Sequence, residues 1–251
     1  MASPLNERAE SPGPRAWFRV VVIAALLLFL LPFHVLWRLF GWQSPWSKLF
    51  LRLAGQMAGA DVTVVGTPRQ GNVLYIANHV SWLDILVLAG QTGSAFVAKA
   101  DMAPWPIIGW MATLNNSVYV AREDRLGVSA QTDAIKLALK NRQPLTLFPE
   151  GTTGDGRTLL AFRSSLVAAV TPPPEGVSVQ PVAIDYGLVA TEIAWTGDES
   201  VGHNALRVMS RSKRLQVTLH FIEPLKHDVF ADRKALIAQS RHKIAAALGL
   251  S

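Results

Sequence analysis

The segment NHVSWLD places His79 and Asp84 five residues apart, after the apolar run VLYIA at 73–77 and before the helix-like ILVLAG. Read as strand, turn and helix, it puts the histidine on the turn and the aspartate in the first helical turn. A carboxylate there reaches an imidazole one turn back, fixes its tautomer and stabilises the imidazolium as it forms, which is what a general base requires. The same spacing has a plainer use. Ser81 and Asp84 also match the S-x-x-D pattern of a capping box, in which Asp84 only satisfies the amide of Ser81. Cysteine and a G-x-S-x-G elbow are both absent, so no covalent nucleophile offers itself and the histidine would act on a substrate hydroxyl. His34, His79, His203, His220, His227 and His242 form no H-x-x-x-H pair, so no metal is expected.

A second constellation, LFPEGTTGDGRTLLAFRSSL, begins at Leu147. An apolar strand runs into Pro149 and Glu150, and Gly151, Gly154 and Gly156 mark a tight loop whose amides could receive an anion beside Arg157 and Arg163. Taken alone, such a loop is an ordinary turn. Between the two constellations, the stretch from Lys99 ends a strand on Arg122, which by itself reads as a surface charge.

The elements that must hold these residues follow from short β-branched runs at 62–65, 73–77, 94–98, 117–121, 145–148, 179–184 and 215–222. Helical patterns lie between several of them, clearest in SAQTDAIKLALKNR and in the closing DRKALIAQSRHKIAAAL. The expected fold class is α/β, a mixed, largely parallel sheet flanked by helices.

Ahead of it, Val20 to Phe33 carries no charge and the apolar run continues to Trp37, marginal in length for crossing a bilayer. The small-x-small pattern of a cleaved signal peptide is missing after it. Trp37, Trp42 and Trp46 then alternate with Arg38, Lys48 and Arg52, a mixture suited to the headgroup level. Residues 16–58 read as a hydrophobic helix, a break near Gly41 to Pro45, and an amphipathic helix on the surface. The expected division is residues 1–58 as an N-terminal membrane-attached helical segment and 59–251 as the domain carrying the chemistry. A hydrophobic share of 50% against 17% charged residues fits a membrane contact, and the net charge of +6 fits an anionic partner. The basic cluster Arg207, Arg211, Lys213 and Arg214 lacks interleaved stacking aromatics, so anionic lipid is preferred to nucleic acid.

NHVSWLD, a strand ending in VAR, FPEGT, and QPV at 180–182, in that order, resemble the four successive blocks of the glycerolipid acyltransferases, the family that includes the 1-acylglycerol-3-phosphate acyltransferases. The resemblance covers roughly residues 60–225. It implies that His79 is the general base and Asp84 its orienting partner, that Arg122 meets an acceptor phosphate, that Glu150, Gly151 and Thr152 shape the acceptor site, and that Pro181 lies in the fourth block. It also implies an acyl-CoA or acyl-carrier-protein donor as substrate, no cofactor and no metal, a lysolipid acceptor, and a site at the inner or cytoplasmic membrane, on the cytoplasmic side. One position departs from the pattern. Many phosphatidic-acid-forming members carry arginine directly after EGT, where this sequence has Thr153, and the loop looks similar to a branch that acylates lyso-ornithine lipid. Arg157 is the neighbouring cation that could stand in, which favours 1-acylglycerol-3-phosphate as acceptor, with lyso-ornithine lipid as the alternative. A thioester or lipid hydrolase would use the same pair on water, and a non-enzymatic lipid-binding protein would not keep His79, Asp84 and Glu150 together.

Overall fold

The computed structural model describes residues 13–120, 135, 137–138, 143–168, 171–226, 229–230 and 232–250. Arg122 and most of the helical pattern SAQTDAIKLALKNR lie outside them; Ile135, Leu137 and Ala138 of that pattern are helical. Helix α1 runs from Pro14 to Leu39, with a proline at its first position, where the missing N–H costs nothing, and passes through Pro32 without ending. The chain turns at Gly41, in the left-handed region at φ 71°. Ser44 then caps α2 (Pro45–Ala58) by accepting from the Trp46 N–H, and Gly59 ends it at φ 108°. The helix–break–helix reading of residues 16–58 is thus the observed arrangement.

Each strand run of the sequence is found: β1 (Ala60–Gly66), β2 (Val73–Ala77), β3 (Ala95–Lys99), β4 (Val118–Val120), β5 (Leu145–Leu147), β6 (Ser178–Asp185) and β7 (Leu215–Phe221). They form one sheet in the order β1-β7-β6-β2-β5-β3-β4. Only β6 and β7 pair antiparallel, so the sheet is mixed and largely parallel, as expected. Because β2, β3, β5 and β6 are mutually parallel, the segments leaving their C-terminal ends converge on one edge, where α/β sheets place ligands.

The pleat of β2 explains why all five of its residues are buried. Val73, Tyr75 and Ala77 point to a layer containing α1, α3 (Leu83–Thr92) and, past α4 (Pro106–Leu114), α5 (Val201–Ser210), while Leu74 and Ile76 face Leu236, Ile237 and Ile244 of α6 (Arg233–Ala247). A third cluster joins Leu30 of α1 to Phe50, Leu51 and Ala54 of α2, Ala89 of α3 and Phe96 of β3. Arg19 donates to the carbonyls of Met209 (2.8 Å) and Arg211 (3.2 Å) and so caps the end of α5. The first turns of α1 are therefore bolted to the sheet domain, whereas Leu28, Phe29, Leu36 and Leu39 are exposed.

Helices α2 and α3 cross through glycine. A Cβ on Gly90 would sit 2.7 Å from Cα and 2.9 Å from N of Arg52, so the two backbones meet where only glycine fits. Gly90→Ala is expected to force α2 away and to cost about 1–3 kcal/mol, the usual range for overpacking. Gly202→Ala on α5, where nothing lies within 4 Å, should be neutral or slightly stabilising. Thermal unfolding of both variants in detergent checks the difference; equal midpoints would contradict the close crossing.

Candidate active site

Asn78 ends β2 in a specific way. Where the next strand residue would continue the ladder with β6, its side chain takes over, donating to the Ile184 carbonyl (3.0 Å) and accepting the Ile184 N–H (2.8 Å). The ladder is satisfied, and the backbone is free to turn at His79.

The imidazole Nδ1 of His79 lies 2.8 Å from Oδ2 of Asp84. That same oxygen accepts the N–H of Val80 at 2.6 Å and of Ser81 at 2.9 Å, and the other carboxylate oxygen accepts the Tyr186 hydroxyl at 2.6 Å. Asp84 is completely buried, and burying an ionised carboxylate without such donors would be prohibitive. The amide contact of a capping box and the contact with the imidazole are both present, on one oxygen. With Nδ1–H donating to the carboxylate, Nε2 is the proton acceptor of the ring. The His79 side chain keeps 16% of its exposure, enough for a substrate to approach. Burial, then the charge of Asp84, holds the Tyr186 hydroxyl protonated, so it serves only as a donor.

The loop after β5 grips the histidine by its backbone. Glu150 Oε1 accepts the His79 N–H at 2.9 Å, and the Gly154 N–H donates to the His79 carbonyl at 2.7 Å. Gly151, at φ 76°, reverses the chain directly after Glu150. The ring of Phe148 stacks on that of His79 with centroids 4.1 Å apart and planes at 9°, and Phe96 stacks in turn on Phe148 at 5.8 Å. A third segment closes the group: the Trp195 N–H donates to the Val80 carbonyl at 3.0 Å, and the Thr153 hydroxyl donates to the Trp195 carbonyl.

The structure brings His79, Asp84 and Glu150 together. Thr152 is exposed, and Arg157 is exposed with its backbone N–H held by Asp155 at 2.9 Å. Pro181 lies inside β6 level with Ile76, deeper in the sheet than the turn. Asn78, Phe148 and Tyr186 were not singled out in the sequence. Asn78 adjoins His79 and ends a strand, a legible position for a polar terminator, whereas nothing near Tyr186 points to an aspartate 102 positions earlier.

Glu150 is buried, and that burial, reinforced by the charge of Asp84, raises its carboxyl from 4.5 to about 7 against the opposing pull of the backbone donors and Arg241. Its native pKa exceeds the unfolded one, so its contribution to stability is fully present below about pH 4.5 and is lost as pH rises through about 7. A difference of this size corresponds to roughly 3 kcal/mol. Glu150→Gln should flatten the fall in melting temperature between pH 5 and pH 8; parallel curves for the two proteins would contradict the assignment.

A family model described as Acyltransferase matches residues 61–185, from β1 to the end of β6 and one residue short of Tyr186. A lyso-ornithine lipid O-acyltransferase of Brucella abortus is 32% identical, over 93% of this chain and 94% of its own length. Another protein of that name, from Rhizobium meliloti, is 37% identical over 87% of this chain and 82% of its own. The crystal structure of the 1-acyl-sn-glycerophosphate (LPA) acyltransferase PlsC from Thermotoga maritima shares the fold, with a TM-score of 0.61 at 22% identity over 93% of this chain and 96% of its own. With a relative above 30% identity matched along nearly its whole length, the chain belongs to the acyltransferase family and is an O-acyltransferase.

Proposed function

We propose that this enzyme transfers a fatty acyl group from acyl-CoA or acyl-carrier protein to the free hydroxyl of a lysolipid, and that the preferred acceptor is lyso-ornithine lipid. His79 Nε2 takes the hydroxyl proton as the acceptor oxygen attacks the thioester carbonyl. The tetrahedral intermediate then collapses, the ester forms, and the leaving thiolate recovers the proton from the imidazolium, whose charge Asp84 balances. The donor is a second substrate, and no resident cofactor takes part. Such donors are soluble in the cytoplasm, which puts the site on the cytoplasmic face of the membrane. Residues 1–58 supply the attachment and 59–251 the chemistry, supported by a 26-residue first helix that is long and apolar enough to cross a bilayer and mostly unburied along its apolar stretch.

The observation that carries the acceptor is Thr153. Its hydroxyl is committed to the Trp195 carbonyl, so the position that bears arginine in many phosphatidic-acid-forming relatives here ties the loop to the protein. A charge-assisted bond to phosphate contributes roughly 1.5–3 kcal/mol, so one missing arginine shifts acceptor affinity by one to two orders of magnitude. The exposed Arg157 is the cation that favours the second reading, 1-acylglycerol-3-phosphate, together with Arg122, which lies outside the described residues. The names of the Brucella and Rhizobium relatives support the first reading.

His79→Ala in a folded preparation should lose about 10²–10⁴ in acyl transfer, and Asp84→Asn nearly as much because the wrong tautomer disables the base. Tyr186→Phe leaves one carboxylate oxygen without its donor, and a fall of about tenfold in kcat with KM unchanged is expected. Retention of more than about a tenth of the activity by the alanine variant would remove His79 from the mechanism. For the acceptor, lyso-ornithine lipid and 1-acylglycerol-3-phosphate compete in one reaction with labelled donor. Lyso-ornithine lipid should be acylated faster, and Thr153→Arg should shift the ratio toward phosphatidic acid; preferential formation of phosphatidic acid by the wild type would reverse the assignment.

A further inference from the structure

Helix α4 is more apolar than its surroundings require. From Met102 to Ala121 the sequence contains no charged residue, and the stretch begins MAPWPIIGWM. A helix apolar on all sides belongs in a core or in a bilayer. Here one side is anchored: Met111 joins the cluster of Leu30, Phe50 and Phe96, and the Asn115 side chain donates to the Ser94 carbonyl at 2.9 Å. Gly109, next to which even a Cβ would meet the Ala103 carbonyl oxygen, folds the preceding turn tightly back, and its own carbonyl accepts the Tyr119 hydroxyl at 2.8 Å. The helix is therefore held firmly while Trp105, Ile107 and Trp110 stand 38%, 67% and 43% exposed.

The position of this patch decides its occupant. Helix α4 follows β3, so it leaves the same edge of the sheet as the His79 turn and the Glu150 loop. The cluster that receives Met111 also takes in Leu26 and Leu27 of α1, Trp46 of α2, and Phe148, the ring stacked on His79. The patch thus continues the apolar surface that α1 begins, around the entrance to the site. Two indoles, an exposed isoleucine and no charge suit the boundary between headgroups and acyl chains, where a protein partner of ordinary surface composition would find no polar complement.

We propose that α4 is a second bilayer-inserting element, with Trp105, Ile107 and Trp110 seated in the leaflet that receives α1. The active-site edge is then held flat on the membrane between two apolar supports, and a lysolipid hydroxyl reaches His79 without its acyl chain leaving the lipid. The proposal rests on the membrane reading of α1, and the experiment separates the two.

The chain lacks cysteine, so single labels can be placed in the full-length protein. An environment-sensitive NBD group goes on Ile107→Cys, with Phe29→Cys on the exposed part of α1 and Gln239→Cys on α6 as references, in vesicles of phosphatidylethanolamine and phosphatidylglycerol with or without doxyl-labelled lipid. The Ile107 label should shift to the blue and be quenched by the doxyl lipid to at least about half the extent of the Phe29 label, while the Gln239 label is unaffected. Quenching at Phe29 but not at Ile107 overturns the proposal and leaves the membrane reading intact; quenching at neither overturns both. A blue shift at Ile107 without doxyl quenching means that a second copy of the chain covers the patch, which also overturns it. In parallel, Ile107→Asp should raise KM about tenfold for acceptor presented in vesicles and leave KM unchanged for detergent-dispersed acceptor; an equal rise in both counts against a membrane role.

Discussion

A single buried carboxylate organises this candidate active site. Asp84 has no exposure and accepts four hydrogen bonds, from the His79 ring, two consecutive backbone amides and Tyr186. Ions of this kind cost several kcal/mol to bury, and each charge-assisted bond returns roughly 1.5–3 kcal/mol, so no donor is dispensable. The donors come from two strands. Val80 and Ser81 follow β2, Tyr186 follows β6, and these strands run parallel in fixed register, Ala77 opposite Val182. Asn78 then locks the turn to Ile184 just before Tyr186 begins its reach. Sheet register, and not loop conformation alone, sets the geometry of the base.

The histidine is held as tightly as its partner. Its ring is fixed at one nitrogen and stacked on Phe148, while its amide and carbonyl are both taken by the loop containing Glu150 and Gly154. What remains mobile in principle is the proton on the imidazole. That rigidity suits the proposed role of His79 as a base that meets a hydroxyl delivered by a large amphipathic substrate, because positional freedom in the base would have to be removed again in each turnover. The apolar side of the site continues through Phe148 and Phe96 to α1, α2 and α4, so one continuous surface links the His79 ring to the helices with exposed hydrophobic faces.

Much of this was legible in the sequence, because strand runs, a charge-free helix and a histidine–aspartate spacing are local signals. The seven strands appear where β-branched residues cluster, and the break between α1 and α2 falls at Phe40 to Ser44, within a residue at either end of the expected Gly41 to Pro45. Other features depended on partners distant in the chain. Tyr186 finds Asp84 only through the crossover that lays β6 beside β2. Arg19 serves the carbonyl end of α5, about 190 residues away, a contact with no local signature. Phe148 ends a strand run and looks like core, but the strand stops at Leu147 and the ring moves onto the histidine. The strand order with its antiparallel β6/β7 pair likewise has no local signature.

In the proposed function, the loop after β5 separates chemistry from selectivity. Glu150 and Gly154 act on the His79 backbone, so substitution there disturbs the base whatever the acceptor. Thr153 lies between them and donates its hydroxyl to the Trp195 carbonyl, a contact that holds the loop. In the function proposed above, a change at that position adds or removes a cation beside the acceptor headgroup while the amide of His79, its carbonyl and the Asp84 carboxylate keep their partners. On the proposed reading, one scaffold presents an unchanged base to phosphate-bearing and phosphate-free lysolipids, with the discrimination carried by the tip of a loop whose two ends are held on the His79 backbone.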